Sequence, residues 1–357
     1  MNAPHPSTAP LRIGILGCAN IARAFARDVA SSPAAQVVAV ASRSEDKARE
    51  FAQTFGLARH HGSYEALLAD AAVDAIYLPL PNSLHAPWAI AAARSGKHVL
   101  CEKPLALGLA EAQSMFDAAR QHGVLLLEAY PYWFQPQTRD LLTLLHGGAV
   151  GRVQSMQACF GFTLAKPEGN IRMDAALGGG ALLDAGSYPM SLIRLVMGSA
   201  PQRVVAHANW TSGGVDMSTV ATLLYEDGRR AQLSCAMDMA FYRHASIVGT
   251  EGVIETDYFN HTADAASTHP WGYLPSRLNL RRGLPNTVPF EPVHSATGSG
   301  FRFAAEAYAR LVQEQDFAAA ARAAAASLDI ARTLEAIARS ARLGQAVDVA
   351  EVTASAA

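Results

Sequence analysis

The sequence predicts an α/β protein of two domains: a parallel sheet covered on both faces, then a mixed α+β domain. Three observations carry this. Short apolar runs alternate with helical patterns from residue 11 to 129. After about Pro131 the pattern changes to longer strands joined by turns such as Glu226-Asp227-Gly228, which is hairpin chemistry. A chain of 357 residues has the length of about two domains.

The elements follow in order. Residues 11–16 form an apolar-rich strand that opens onto Gly17, and 21–30 read as a helix. Residues 37–41 are rich in β-branched side chains and make a second strand. The helix over 45–55 has acidic residues in its first turn, where the helix dipole favours them. Strands at 75–78 and 98–101 flank a helix over 84–94, and a helix over 109–122 precedes a strand at 124–128. Near-continuous apolar strands in β-α-β alternation belong to a parallel sheet. In the second domain strands are expected at 153–162, 203–210, 218–225, 231–237 and 245–248. One long helical pattern, 181–197, interrupts them, and 299–315 and 320–343 are helical by composition and period. The expected division is 11–131 and 132–357, with residues 1–10 a disordered tail of Pro and small polar residues.

Composition excludes several classes. Half of the residues are hydrophobic and 17% are charged, so the chain can bury a large core. A net charge of -2 leaves no footprint for nucleic acid or an acidic membrane. Cys18, Cys101, Cys159 and Cys235 are far apart and form neither a zinc cage nor a disulfide framework. Scattered thiols fit a reducing compartment. No secretory h-region and no run of about 18 apolar residues is present. A cytoplasmic protein without nucleic-acid or membrane partners is expected. No metal is expected either, because no His/Cys/Asp cluster has ligand spacing.

Gly17-Cys18-Ala19-Asn20-Ile21-Ala22 joins the first strand to the first helix as a G-x-A-x-x-A dinucleotide fingerprint. Gly17 makes the tight turn, Ala19 is small enough for a pyrophosphate to approach, and Ala22 permits close packing. The helix start then offers N–H groups and a positive dipole end. A strand–turn–helix that merely packs is the competing reading. The second strand ends in Ser42-Arg43-Ser44, where an NAD site usually has an acid for the ribose 2′-hydroxyl. Arg43, helped by Ser42 and Ser44, suits a 2′-phosphate, so NADP is expected over NAD. A solvated loop arginine is the alternative. The stiff segment Leu78-Pro79-Leu80-Pro81-Asn82-Ser83-Leu84-His85 leaves the third strand where ligands sit in open α/β sheets. Asn82 is also a candidate helix cap.

Glu102-Lys103-Pro104 follows the fourth strand, and Lys103 lends positive charge to a developing alkoxide if it faces the site. Alone, such a lysine is more often a surface residue. Asp184 and Tyr188 are spaced i,i+4 after the glycine run Gly178-Gly179-Gly180, so a helix puts them on one face. A tyrosine with an ordinary pKa of about 10 is a poor base at neutral pH. A nearby ammonium such as that of Lys103 makes proton abstraction feasible. A capping Asp184 and a core Tyr188 are the structural alternative.

These residues resemble the Gfo/Idh/MocA oxidoreductases. The matching segments are GILGCANIA at 14–22, VASRSEDKAREFA at 40–52, YLPLPNSLHAPWAIAAARSGKHVLCEKPL at 77–105, EAYPYWFQPQ at 128–137 and NIRMDAALGGGALLDAGSYP at 170–189. The pair Lys103 and Tyr188 is similar to that of the branch with dimeric dihydrodiol dehydrogenase, NADP-dependent xylose 1-dehydrogenases and glucose–fructose oxidoreductase. The resemblance implies a doubly wound Rossmann domain, then a domain with an open, mostly antiparallel sheet that forms a homodimer interface. It implies that Gly17, Cys18, Ala19, Asn20, Ile21, Ser42, Arg43, Ser44, Leu78, Pro79, Leu80, Asn82, His85, Glu102 and Lys103 serve the cofactor. It gives Lys103 and Tyr188 to proton transfer and puts Asp184 in the substrate pocket. Trp133, Phe162 and Arg172 are further substrate candidates. The expected activity is NADP-dependent hydride transfer from a small cyclic polyol, most simply an aldose at C1. The rivals are a trans-1,2-dihydrodiol dehydrogenase, a sugar-to-sugar shuttle on a tightly held cofactor, and a non-catalytic NADP-binding regulator.

Overall fold

The computed structural model describes residues 9–265 and 269–354. Of the expected N-terminal tail, residues 1–8 lie outside the described residues.

The first part alternates as expected: β1 (Leu11–Leu16), α1 (Asn20–Val29), β2 (Ala35–Ala41), α2 (Glu45–Phe55), β3 (Arg59–His61), α3 (Tyr64–Leu68), β4 (Ala75–Leu78), α4 (His85–Arg94), β5 (His98–Glu102), α5 (Leu109–Gln121) and β6 (Leu126–Ala129). The six strands form a sheet in the order β3-β2-β1-β4-β5-β6. Every pairing in it is parallel. All four residues of β4 are buried, as a strand covered on both faces requires. α1 buries Ala22, Phe25, Ala26 and Val29, a helical stripe turned to the sheet. α2 begins at Ser44, whose hydroxyl accepts from the Lys47 N–H, and ends at Gly56 in the left-handed region.

β3 and α3 were not expected. β3 is Arg-His-His on the sheet edge, with no apolar run to reveal it. α3 has only five residues, too few for a period to show, although Ser63 caps it by accepting from the Ala66 N–H.

The second part contains α6 (Pro136–His146), β7 (Val153–Thr163), α7 (Ser187–Met197), β8 (Arg203–Trp210), β9 (Asp216–Leu224), β10 (Arg230–Ala236), β11 (Asp238–Gly249), β12 (Gly252–Thr256), β13 (His261–Thr262), β14 (Leu278–Arg282), β15 (Glu291–Pro292) and β16 (Gly298–Ser299). The chain ends with α8 (Gly300–Gln313), α9 (Phe317–Leu343) and β17 (Val347–Asp348). Nine strands join in the order β15-β14-β12-β11-β7-β10-β9-β8-β17, and β13 pairs with β16. The sheet is antiparallel except where β7 and β10 run side by side. The short β12 and β14 were missed.

The helix expected over 181–197 opens instead with one wide π-turn, Leu182–Gly186, before α7. π-turns inside helices are frequent at functional sites. A side chain at Gly186 would bring its Cβ within 2.9 Å of the Cys235 Sγ on β10. Glycine therefore lets this turn lie on the sheet.

The chain divides into two compact units: residues up to 106, 111–131 and 299–325, and residues 107–110, 132–298 and 326 onward. One break falls between Pro131 and Tyr132. Residues 299–325 are not in the second unit as expected, and the reason is apolar. Phe301, Ala304, Ala305 and Tyr308 give α8 a buried face. Phe301 meets Phe25 edge-on at 5.7 Å, and Phe25 stacks on Tyr77 at 3.7 Å.

Phe301→Ala removes the edge of that cluster. It should lower unfolding free energy by about 3–5 kcal/mol, read as a lower urea midpoint. A loss below about 1 kcal/mol would mean that α8 is not part of the first unit's core.

Candidate functional site

In the first unit, β1 lies between β2 and β4, where the strand order reverses. Ligands of open α/β sheets sit at that switch point, beyond the strand ends. Gly17 occupies it with φ of +105°. Its conformation requires glycine, and a Cβ there would also stand 2.9 Å from Leu80 Cδ2. Ala19 is the N-cap of α1; its side chain makes no cap bond, and the first turn holds no acid. No side chain at that helix start competes with an anion for the first N–H groups, so the turn fits a dinucleotide pyrophosphate. Asn20 and Ile21 are exposed beside it. The Cys18 thiol donates to the Lys47 carbonyl at 3.6 Å, and burial raises its pKa, so it remains a thiol.

Arg43 is exposed at the end of β2. Its turn is built by the two serines. The Ser42 hydroxyl accepts from the Ser44 N–H at 3.2 Å, and the Ser44 hydroxyl caps α2. Both serines therefore have a structural duty, which the sequence reading did not give them. Tyr64 was missed altogether. Its charge and hydrogen-bond contact with Arg43 works against the burial that raises its pKa. Its hydroxyl also lies 3.8 Å from where a Gly17 Cβ would be. The signal was a capped Ser63-Tyr64-Glu65 helix start, which carries no nucleotide motif.

Leu78 is fully buried at the end of β4, so its side chain serves the core and not the groove. Pro79 is buried and Leu80 half-buried. Asn82 opens a single helical turn, 82–84, and the N-cap of α4 is Leu84, so Asn82 is not the expected cap. His85 corrects another expectation. It is fully buried, with Nδ1 2.9 Å from the Pro104 carbonyl oxygen and Nε2 2.9 Å from that of Leu80. Burial holds its pKa down, with the Lys103 charge acting the same way. His85 ties two loops together. Glu102 is buried at the end of β5; it accepts from the Tyr77 hydroxyl at 2.6 Å and from the Lys103 N–H at 3.3 Å. Lys103, half-buried, follows it.

In the second unit, the Asp216 carboxylate accepts from the Leu182 N–H at 2.8 Å and the Thr219 hydroxyl at 2.7 Å. Burial raises its pKa against those bonds. Asp216 thus anchors the π-turn that carries Asp184. Asp184 and Arg172 form an ion pair at 2.6 Å, and Arg172 lies 5.9 Å over the Phe162 ring. The predicted Asp184, Arg172 and Phe162 are therefore neighbours, with the two charges cancelled. Trp133 donates to the Tyr132 hydroxyl at 2.7 Å, and the Tyr132 ring tilts against Tyr188 at 6.2 Å.

Tyr188 is 6% exposed, and its hydroxyl accepts from Asn260 Nδ2 at 2.9 Å. The Arg243 guanidinium stacks 4.1 Å over its ring. Arg243 is itself buried, ringed by Tyr188, Tyr258, Phe160 and Tyr132 at 4.1–5.3 Å. Burying a cation costs several kcal/mol, and a desolvated aromatic face returns about 2 kcal/mol at most, so four faces are commensurate with that cost. Neither Arg243 nor Asn260 was expected. Arg243 precedes the apolar run that marked its strand, and only the folded chain brings it to Tyr188.

Within each unit the geometry thus presents an anion-binding turn and a buried, donor-supplied phenol. Matches to known proteins agree. Residues 11–130 match the oxidoreductase family with an NAD-binding Rossmann fold, and 138–255 match the GFO/IDH/MocA C-terminal domain. The chain is 38% identical to the dTDP-3,4-didehydro-2,6-dideoxy-α-D-glucose 3-reductase of Streptomyces violaceoruber, over 96% of this chain and 99% of that one. It is 35% identical to the NADP(+) D-xylose 1-dehydrogenase 2 of Haloferax volcanii, over 95% and 100%. It is 34% identical to the trans-1,2-dihydrobenzene-1,2-diol dehydrogenase of Danio rerio, over 85% and 88%. The crystal structure of a 3-ketoreductase from Actinomadura kijaniata, with NADP and TDP-benzene, superposes with a TM-score of 0.82 at 31% identity, covering 93% of this chain and 98% of that one. Two domain matches in the expected order and relatives of this length make the chain a member of the Gfo/Idh/MocA family of NAD-binding oxidoreductases.

Proposed function

We propose that the protein is an NADP-dependent oxidoreductase that oxidises a small cyclic polyol, an aldose at C1, to its lactone. The observation that carries this is the buried Tyr188 hydroxyl, which accepts from Asn260 beside a guanidinium. On this reading it is the group that exchanges a proton with the substrate hydroxyl. When bound, NADP supplies the acceptor for the hydride. The protein's part is to hold the substrate and move one proton. Tyr188 takes the proton of the hydroxyl being oxidised, and Lys103 lends charge to the oxygen that is losing it. Gly17, Ala19 and the start of α1 hold the pyrophosphate, and Arg43 pairs with the 2′-phosphate.

The substrate class rests on the pocket wall. Phe162 and Trp133 offer aromatic faces, which suit the C–H face of a sugar ring. They equally suit a cyclic diol, so a trans-dihydrodiol is the second reading. No helix of the described residues is long and apolar enough to cross a membrane.

A homodimer is the proposed assembly. α7 packs against β7 and β10 on one face of the nine-stranded sheet. The opposite face leaves Val205, Val220, Leu224, Tyr242 and Val248 each 37–51% exposed. Exposed apolar side chains interleaved with polar ones such as His207, Gln232 and His244 over a broad sheet face suit an interface.

Four outcomes are expected. With NADP and a panel of aldoses and cyclic diols, absorbance at the reduced-nicotinamide band should rise for an aldose. Tyr188→Phe should lower turnover by about 10²–10⁴-fold with little change in NADP affinity; unchanged turnover would remove Tyr188 from proton transfer, and a response to diols alone would favour the second reading. Arg43→Ala should weaken NADP far more than NAD; equal losses would sink the 2′-phosphate role. By sedimentation the protein should be dimeric and Val220→Asp monomeric; a monomeric parent would refute the interface.

A further inference from the structure

We propose that Arg243 is a positioning residue for proton transfer: its buried guanidinium holds the negative charge that builds on the Tyr188 oxygen when the proton leaves. The inference rests on the reading of Tyr188 as the proton-transfer group and adds a second cation, supplied from within the same unit.

Three features of the cluster support it. The first is orientation. Asn260 Oδ1 accepts from Arg243 Nη2 at 3.2 Å, which turns Nδ2 toward the Tyr188 hydroxyl at 2.9 Å. The amide is fixed by its two partners, so the phenol oxygen receives a donor. The second is contrast with the neighbouring tyrosines. The Tyr258 hydroxyl donates to the Cys159 carbonyl at 2.7 Å, a bond that only a protonated oxygen makes. Tyr132 shares a bond with the Ser191 hydroxyl at 2.7 Å, and burial raises the pKa of both tyrosines. The third is charge balance. Burial works against the charge of Arg243, and what chiefly favours it is the set of surrounding tyrosine oxygens, Tyr188 first.

The other charged groups nearby are already matched. Asp184, one turn before Tyr188, pairs with Arg172. Asp257 pairs with Arg277 at 2.7 Å and with His244, the residue after Arg243, at 2.9 Å. The Cys159 and Cys235 thiols have pKa values raised by burial. Arg243 is thus a cation of the same unit placed against Tyr188, and a guanidinium answers a charge there without giving up a proton. In the oxidative direction the substrate hydroxyl proton goes to the Tyr188 oxygen as the C–H bond gives up its hydride to NADP. The Tyr188–Arg243 pair passes from neutral to positive. In reduction the same proton returns.

The test uses full-length protein and two readouts. The first needs no substrate: ultraviolet titration of phenolate, taken as the difference between each protein and the same protein carrying Tyr188→Phe. In Arg243→Gln the Tyr188-dependent signal should appear at higher pH than in the parent, by about one unit or more, a tenfold change in proton affinity. The second is turnover of D-xylose with NADP across pH. Arg243→Gln should lower kcat about tenfold or more near neutral pH, change KM by less than about threefold, and recover as pH rises. Arg243→Lys should restore part of the loss. Asn260→Asp sets a carboxylate against the guanidinium and removes the donor; it should shift the signal the same way, and it decides the matter if Arg243→Gln does not fold. An unmoved phenolate signal, or a kcat loss equal at all pH values, overturns the proposal. Full turnover by Tyr188→Phe alone would instead overturn the reading of Tyr188, and the titration would still report on Arg243.

Discussion

The first unit depends on what Tyr77 does at its two ends. Its ring is stacked between the sheet and α1, 3.7 Å from Phe25, and Phe301 closes the cluster from α8. Its hydroxyl, at the far end, donates to Glu102 at 2.6 Å. Buried tyrosines generally find a partner for the O–H, and here the partner is the carboxylate beside Lys103. The hydrophobic core therefore fixes the corner after β5 directly. A residue held by packing at one end and by a charge-assisted hydrogen bond at the other has little rotameric freedom, which is what a site-supporting residue needs.

The second unit solves a related problem with polar groups. A glycine run and a π-turn make poor anchors on their own, because glycine restricts little. Asp216 supplies the restraint by accepting from the first N–H of the turn, and Gly186 lets the turn rest on β10. α7 then begins with Tyr188 already directed at Asn260 and Arg243. The nine-stranded sheet provides both of its faces for different purposes. One carries this cluster under α7, and the other leaves apolar side chains such as Val205, Val220 and Tyr242 exposed among polar ones such as His207, Gln232 and His244.

Much of the fold was legible because it rests on repeating patterns. Buried parallel strands, the Gly17 turn and the break at 131 are written in local composition. β3 and α3 were not, since three polar residues on an edge and a five-residue helix have no period to detect. α8 was seen as a helix, but which unit it joins is decided by Phe301, a contact far away in sequence. The site shows the same division. Gly17, Lys103, Asp184 and Tyr188 stand in recognisable strings, whereas Arg243 and Asn260 stand in none. His85 shows the opposite case: it belongs to a recognisable string, yet only the folded chain shows that its two ring nitrogens each lie 2.9 Å from a backbone carbonyl oxygen, that of Pro104 and that of Leu80.

The distribution of charge bears on the kind of substrate that suits this chain. The Asp184–Arg172 pair cancels itself, with Phe162 under the guanidinium. The charge of Arg243 is enclosed by aromatic rings and directed at Tyr188. Neither cation is therefore left to attract an anion, and a phosphorylated or carboxylated substrate would gain little from either while losing its hydration. On the proposed reading, a neutral polyol loses less on entry and keeps hydroxyls to exchange bonds with the Asp184 carboxylate. Arg172 lies on the segment 164–180, outside regular strands, where substitution is best tolerated. Tyr188, Arg243 and Glu102 lie on a helix and strands packed into the cores. On the reading proposed above, Tyr188 acts from a helix packed into its core, whereas Arg172, a candidate to meet the substrate, sits on an irregular segment of the same unit.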